Sequence, residues 1–446
     1  MSVDAARLAA VHDLLARVPS WAQGLDDVLA VGLTGSWAAA RASADSDVDL
    51  VVLTSRRADR ADRAAGTGWL VGLCGPGTDV VRVRDWGPHL TEVRVALPDG
   101  LEVEVGLADP AWAAVDPVDP GTERVVADGW VTLDDPSGTL APLMHALHGR
   151  PPADVVITHD LVTRLLATQH PDLADSALVH ADGGWDNEMY RLGDELAVRL
   201  PRRRVAAVLA ANEHRWLPEL ARLLRLRVPA PVRVGSPTDE YPFPWGVVPW
   251  IPGIPAWREP VPGRTAWAAE LADALADLQV PAPAGAPVNP FRSGALTDRD
   301  DVVRQRLAVP VRGAPTVDRL AAVWEDALAA PARPGAASWV HGDAHPANLL
   351  VDGGRLVGIA DFGDLIAGDP ATDVATAWLT FDATGRAAFR ARLVERGAVD
   401  APTWRRARGW AVSMGLAMVR HTSDPAIGRI GHHAVTELLG ELDALA

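Results

Sequence analysis

The hydrophobic pattern changes character about a third of the way along the chain. Leu8, Val11, Leu14, Leu15 and Val18 recur at helical spacing and predict an amphipathic helix over 4–18. Short aliphatic runs follow at 28–33, 47–53, 91–97 and 101–107, each long enough for one strand. The last two flank Pro98-Asp99-Gly100, a turn sequence, and read as a hairpin. A helical stretch at 138–148 stops at Gly149-Arg150-Pro151-Pro152, so a domain boundary falls near 149–155. Beyond it the pattern predicts a helix over 158–169, strands near 188–192 and 195–200, a helix near 203–224, and strands near 230–235 and 246–251. Helical periodicity then dominates, at 264–278, 316–330, 370–380, 384–396, 402–420 and 427–444. The expected fold is α+β. A mixed-sheet domain over 1–150 precedes a second domain over 156–446, with a small β-rich lobe (about 156–253) and a helical lobe (about 254–446).

Composition narrows the class. Of 446 residues, 48% are hydrophobic and 22% charged, as in ordinary globular proteins. The 42 basic residues are all arginine, and 58 acidic residues leave a net charge of −16. That balance argues against non-specific binding to nucleic acid or anionic membrane and favours a cationic partner. The single cysteine, Cys74, excludes an internal disulfide framework and a cysteine zinc site. No apolar run approaches the roughly 20 residues of a membrane span, and the N-terminal residues lack a signal-peptide pattern. A soluble, cytoplasmic protein is expected.

Two motif clusters carry chemistry. In the first, an apolar strand ends in Gly35-Ser36, and Asp47-Val48-Asp49 opens the next strand. Residues i and i+2 of a strand share a face, so the two aspartates project together while Val48, Leu50 and Val52 enter the core. Adjacent carboxylates are costly without a compensating cation, and Mg²⁺ suits oxygen ligands. Gly35-Ser36 at a helix start offers N–H groups and a hydroxyl to a phosphate. Glu102 and Glu104 share one face of a later strand and supply a third carboxylate. Such a trio could hold metal and activate a hydroxyl for attack on a nucleotide α-phosphate. These residues resemble the polymerase-β-like nucleotidyltransferase superfamily over roughly 28–115. The resemblance implies that Asp47 and Asp49 bind metal, that Ser36 contacts phosphate, and that Glu102 or Glu104 is third ligand or base. The Leu-Glu-Val context favours Glu102. One departure stands out: Ala39-Ala40 occupy positions where many relatives have Arg-Gly.

The second cluster reads His341-Gly342-Asp343-Ala344-His345-Pro346-Ala347-Asn348, followed by Asp361-Phe362-Gly363. Phosphoryl transfer needs a carboxylate to orient the acceptor hydroxyl and oxygen ligands for Mg²⁺ on the nucleotide phosphates. Asp343 suits the first role, Asn348 and Asp361 the second, with Phe362-Gly363 forming the turn that aims Asp361. This order and spacing strongly resemble the aminoglycoside phosphotransferase family, which shares the protein-kinase fold, over nearly all of 156–446. The resemblance implies ATP and Mg²⁺ as cofactors. It makes the loop Gly183-Gly184-Trp185-Asp186-Asn187 the phosphate cover, and Arg199, in a chain without lysine, the cation on the α/β-phosphates. Glu213 is its expected partner. Tyr241–Gly253 resembles the inter-lobe hinge, with backbone groups around 248–251 meeting adenine. His341 is expected to buttress the loop, and Asp369 and Asp373 to brace it.

The resemblance also implies a small-molecule hydroxyl acceptor. The acidic balance favours a polycation such as an aminoglycoside. The expected function is therefore a phosphotransferase fused to a nucleotidyltransferase-like domain able to act. The alternative is a kinase whose N-terminal domain is an inactive regulatory or nucleotide-binding module.

Overall fold

The computed structural model describes residues 3, 5–62, 68–115, 118–136, 138–147, 153–181, 183–289, 292–309, 317–420 and 424–445. The expected helix stop at 149–152 lies outside these residues. Among them, no helix is long and apolar enough to cross a membrane.

The N-terminal part is a six-stranded sheet. Strands β1 (Val28–Thr34), β2 (Val48–Thr54), β3 (Asp79–Asp85), β4 (Leu90–Ala96), β5 (Glu102–Ala108) and β6 (Trp130–Asp134) lie in the order β3-β4-β5-β2-β1-β6. The β2–β5 pair is parallel and the other pairs antiparallel. At the β4–β5 turn, Gly100 takes a positive φ of 84° and Asp99 accepts the Leu101 N–H at 3.0 Å. The helix Ala5–Gln23 buries Val11, Leu14, Leu15 and Val18 against the sheet's inner face, beside Leu50, Val52, Val103 and Val105.

The second part combines a small sheet with a helical lobe. Five antiparallel strands, β7 (Leu178–Ala181), β8 (Asn187–Leu192), β9 (Leu196–Pro201), β10 (Arg233–Gly235) and β11 (Trp245–Pro249), form a sheet in the order β10-β11-β9-β8-β7. The helix Arg204–Leu220 follows β9 and carries Glu213. The helical lobe is built around buried Trp267, Trp324, Trp378 and Trp410, with the helices Ala401–Arg420 and Pro425–Leu445 packed side by side.

The chain boundary near 150 does not divide the cores cleanly. Helix Asp300–Ala308 belongs to the helical lobe, where Val303 and Leu307 enter its core. Ala308 and Val309 instead join the core of the N-terminal sheet domain. Buried Gln305 donates to the Ala42 carbonyl and accepts the Ala42 N–H, both at 3.0 Å. One short helix thus serves two domains.

Candidate active site

Two short ladders bracket the loop 341–348. The strand Ser338–Val340 before it pairs with Ile366–Gly368, and the hairpin Leu349–Asp352/Arg355–Ile359 follows it. Asp343 and Asn348 therefore sit on a loop held at both ends, and Asp361 lies just beyond the hairpin's second strand. Gly342 has φ +84°, and a Cβ there would strike the Asp364 backbone, so glycine is required. Asp373, fully buried, accepts the N–H groups of His341 at 2.7 Å and Gly342 at 2.9 Å. Asp369 pairs with Arg406 at 2.6 Å.

His341 is buried with both ring nitrogens engaged. Nδ1 accepts the Asp343 N–H at 3.2 Å and Nε2 meets the Ala360 carbonyl at 2.9 Å. The Nε2–H tautomer satisfies both contacts, leaving the ring a positioning role.

Asp343 is surrounded by donors. Arg292 reaches Oδ1 at 3.2 Å and His345 Nε2 reaches Oδ2 at 3.1 Å. The Asn348 amide donates to the Asp343 carbonyl at 2.9 Å. Burial opposes the charged form, but His345, by charge and hydrogen bond, and then Arg292 hold the carboxyl well below the usual carboxylate range. Burial likewise works against a charged His345, yet Asp343 raises it. The Asn348 nitrogen is committed to Asp343, which leaves its oxygen for a cation.

Asp361 is one of two described non-glycine residues with positive φ, at 57°. This conformation costs on the order of 1 kcal/mol and is best tolerated by Asp and Asn. It presents the carboxylate to Arg199, which contacts Asp361 at 2.9 Å and Glu213 at 2.5 Å. Burial pushes Glu213 up to about 7 against the pull of Arg199. With its carbonyl turned towards Arg199, the Asn187 amide accepts from that guanidinium at 3.0 Å. Gly183 and Gly184 lie in the β7–β8 connection, where Asp186 pairs with Arg203. Arg199 thus ties the small lobe to Asp361 of the helical lobe. Oxygen donors from Asn348 and Asp361 fit a hard divalent cation.

The N-terminal cluster is also assembled. Carboxylate oxygens of Asp47, Asp49 and Glu104 lie within 4.8 Å of one another. Parallel pairing sets Asp49 directly beside Glu104. Glu102 shares the face but lies one step out, with its side chain 45% exposed and paired to Arg94 at 3.1 Å. Strand register thus groups Glu104, rather than the favoured Glu102, with the two aspartates. Burial, then Asp47, pushes Asp49 up to about 7. Gly35 has φ +70° and abuts Asp49, whose carboxylate a Cβ would strike. Ser36 follows in the one-turn helix Gly35–Ala38. Ala40 is the other described non-glycine residue with positive φ, at 53°, a conformation that glycine adopts more easily. A cavity of about 490 Å³ opens beside the trio, lined by Gly35, Asp49, Glu104, Trp86, His89 and Trp112 among others.

The donor set suits a divalent cation, but here the trio's counter-charge is Arg94. Its guanidinium contacts Glu104 and lies 3.3 Å from Asp47. The sequence reading gave no role to Arg94, Arg292 or His345. For Arg94 the signal was available, because a hairpin closed at Pro98-Asp99-Gly100 sets Arg94 opposite Glu104.

A β-rich lobe joined through Arg199 to a helical lobe bearing Asp343, Asn348 and Asp361 defines a kinase-like phosphotransferase. The chain belongs to the phosphotransferase enzyme family, whose model matches residues 177–410. The N-terminal sheet domain lies outside that match. Among solved structures, the chain is similar to the GDP and kanamycin complex of APH(2")-IIia, at 20% identity. That match covers 63% of this chain and 98% of that one, with a TM-score of 0.47. The GDP complex of wild-type aminoglycoside 2'-phosphotransferase-IIIa gives the same identity, coverage and TM-score. The macrolide 2'-phosphotransferase MphH from Brachybacterium faecium is 22% identical, covering 62% of this chain and 98% of that one, with a TM-score of 0.43. No curated protein matches the chain.

Proposed function

We propose that the chain transfers the γ-phosphoryl group of ATP to a hydroxyl of a small molecule. Asp343 is the base, Asn348 and Asp361 hold Mg²⁺, and Arg199, paired with Glu213, binds the α/β-phosphates. The acceptor oxygen bonds to the γ-phosphorus as the bond to the β–γ bridging oxygen breaks. ADP leaves, and the hydroxyl proton passes to Asp343. Bound Mg²⁺ supplies charge neutralisation on the phosphates. The observation that carries this reading is the geometry of Asp343, which is held ionised at the end of a braced loop and hydrogen-bonded to Asn348. Incubation with Mg²⁺, ATP and a panel of small alcohols and aminoglycosides, read by mass spectrometry, should give a product heavier by one phosphoryl group. Asp343→Asn should lower its rate about 10²- to 10⁴-fold with ATP binding kept. Undiminished transfer in that variant contradicts the assignment.

For the N-terminal domain, the Asp47–Asp49–Glu104 trio beside a cavity supports a nucleotidyltransferase-like site able to act on a nucleotide α-phosphate. Arg94 inside the trio favours the second reading, an inactive nucleotide-binding or regulatory module. A product heavier by a nucleotidyl group, lost in Asp47→Ala, selects the first. Its absence, with Mn²⁺ binding gained only in Arg94→Ala, selects the second.

A further inference from the structure

The loop treats the two carboxylate oxygens of Asp343 differently. Oδ2 faces His345 Nε2 at 3.1 Å and, at a longer 3.4 Å, the Asn348 amide. Oδ1 meets Arg292 alone among the described residues, at 3.2 Å, and the side chain keeps 21% of its surface exposed. Each carboxylate oxygen has room for about two donors. Oδ1 therefore retains a place for an incoming hydroxyl, and Oδ2 does not.

Nothing in the aspartate itself fixes that orientation. The last torsion of an aspartate side chain is broad and two-fold, so an unheld carboxylate swings and exchanges its oxygens. The Asn348 amide is a weak holder, because its stronger contact, at 2.9 Å, is to the Asp343 backbone carbonyl. His345 is the rigid partner. It is buried, its N–H donates to the Asp343 carbonyl at 2.8 Å, and its carbonyl accepts the Asn348 N–H at 2.8 Å. Its Nδ1 accepts the Ala347 N–H at 3.3 Å, which places the ring proton on Nε2, facing Asp343. His341 instead takes the Asp343 N–H on its own Nδ1. The two histidines thus divide the residue, one holding its main chain and the other its carboxylate.

We propose that His345 is the positioning residue of the base: its Nε2–H clamps Asp343 Oδ2 and so turns Oδ1 to the acceptor hydroxyl. The hydroxyl donates to Oδ1. As its oxygen bonds to the γ-phosphorus and the bond to the β–γ bridging oxygen breaks, its proton moves to Oδ1, while Oδ2 stays in the hydrogen bond from His345. The histidine takes no proton in this step. It holds one geometry, and misplacing a reacting group by about 1 Å costs about 100-fold in rate. This inference rests on the phosphotransferase reading and adds a residue to its machinery.

The test uses the full chain with Mg²⁺ and ATP, and water as the acceptor. It is read as orthophosphate release, which cleavage at an α-phosphate would not give. His345→Leu should lower kcat about 10- to 100-fold with the KM for ATP unchanged, the split expected of an interaction that acts on the transferring step. His345→Gln places an amide N–H near the position of Nε2 and should recover most of that loss. His345→Glu, of the same shape but with an acceptor there, should not. The Gln and Glu variants carry the test if the leucine variant fails to fold. In the parent labelled with ¹⁵N-histidine, the ring resonances that vanish in His345→Gln should show a protonated Nε2 and a bare Nδ1. A kcat of His345→Leu at the parent's level, equal rates in the Gln and Glu variants, or a ring protonated on Nδ1 overturns the inference. Orthophosphate release in the parent no faster than in Asp343→Asn overturns the phosphotransferase reading instead.

Discussion

Each carboxylate with a central role here is answered by an arginine: Asp343 by Arg292, Glu213 and Asp361 by Arg199, and the N-terminal trio by Arg94. Arginine keeps its charge at any working pH and forks its donors, so such pairs titrate only from the acid side. Asp27 shows the consequence for stability. It is buried, accepts the Thr54 hydroxyl at 2.6 Å and is gripped by both arms of Arg60. Arg60 lowers its pKa to about 2. A carboxyl whose native pKa lies below its unfolded value stabilises the fold fully above pH 4, and that stability fades as pH falls towards 2. Asp27→Asn should therefore cost on the order of 2 kcal/mol at pH 7 in denaturant unfolding. The gap between variant and parent should close between pH 4 and pH 2, and a gap constant across that window contradicts the account. Asp343, Asn348 and Asp361 were legible because their spacing lies within short local motifs. Arg292 was not, since it reaches Asp343 across 51 residues of chain that only the folded lobe closes.

Among the elements, long amphipathic helices and apolar strands were legible, whereas edges and short connectors were not. β3 sits at the sheet edge with Val80 and Val81 exposed, so it lacks the alternation that marks a half-buried strand. Helix Asp300–Ala308 opens on an acidic run that reads as a solvated face, yet it buries Val303, Gln305 and Leu307. Gln305 can be replaced only at a cost, because Ala42 is buried and both of its backbone groups depend on that one amide. Gln305→Ala should cost about 1–3 kcal/mol and speed hydrogen exchange at Ala42. Gln305→Glu keeps the acceptor for the Ala42 N–H and should fall between the two. An unchanged exchange rate in Gln305→Ala would show that water or a neighbour already satisfies Ala42.

Across the whole molecule, the same helix spans both cores, and the two domains should unfold as one cooperative unit. Val303 and Leu307 are anchored in the helical lobe, and Ala308 and Val309 in the N-terminal core, so neither core can open without disturbing the other. Calorimetry of the full chain should show one main transition, and a nucleotide bound only by the phosphotransferase domain should raise it as a whole. Val309→Asp places a charge in the N-terminal core and should cost on the order of 3 kcal/mol there, while Val303 and Leu307 remain packed. The transition should then split, with a lower step for the N-terminal sheet and an upper one that alone still responds to nucleotide. Two transitions in the parent protein, with nucleotide moving only one, would mean that the shared helix joins the domains without coupling their stability. The Arg94-filled trio and the Asp343 site would then answer to their ligands independently.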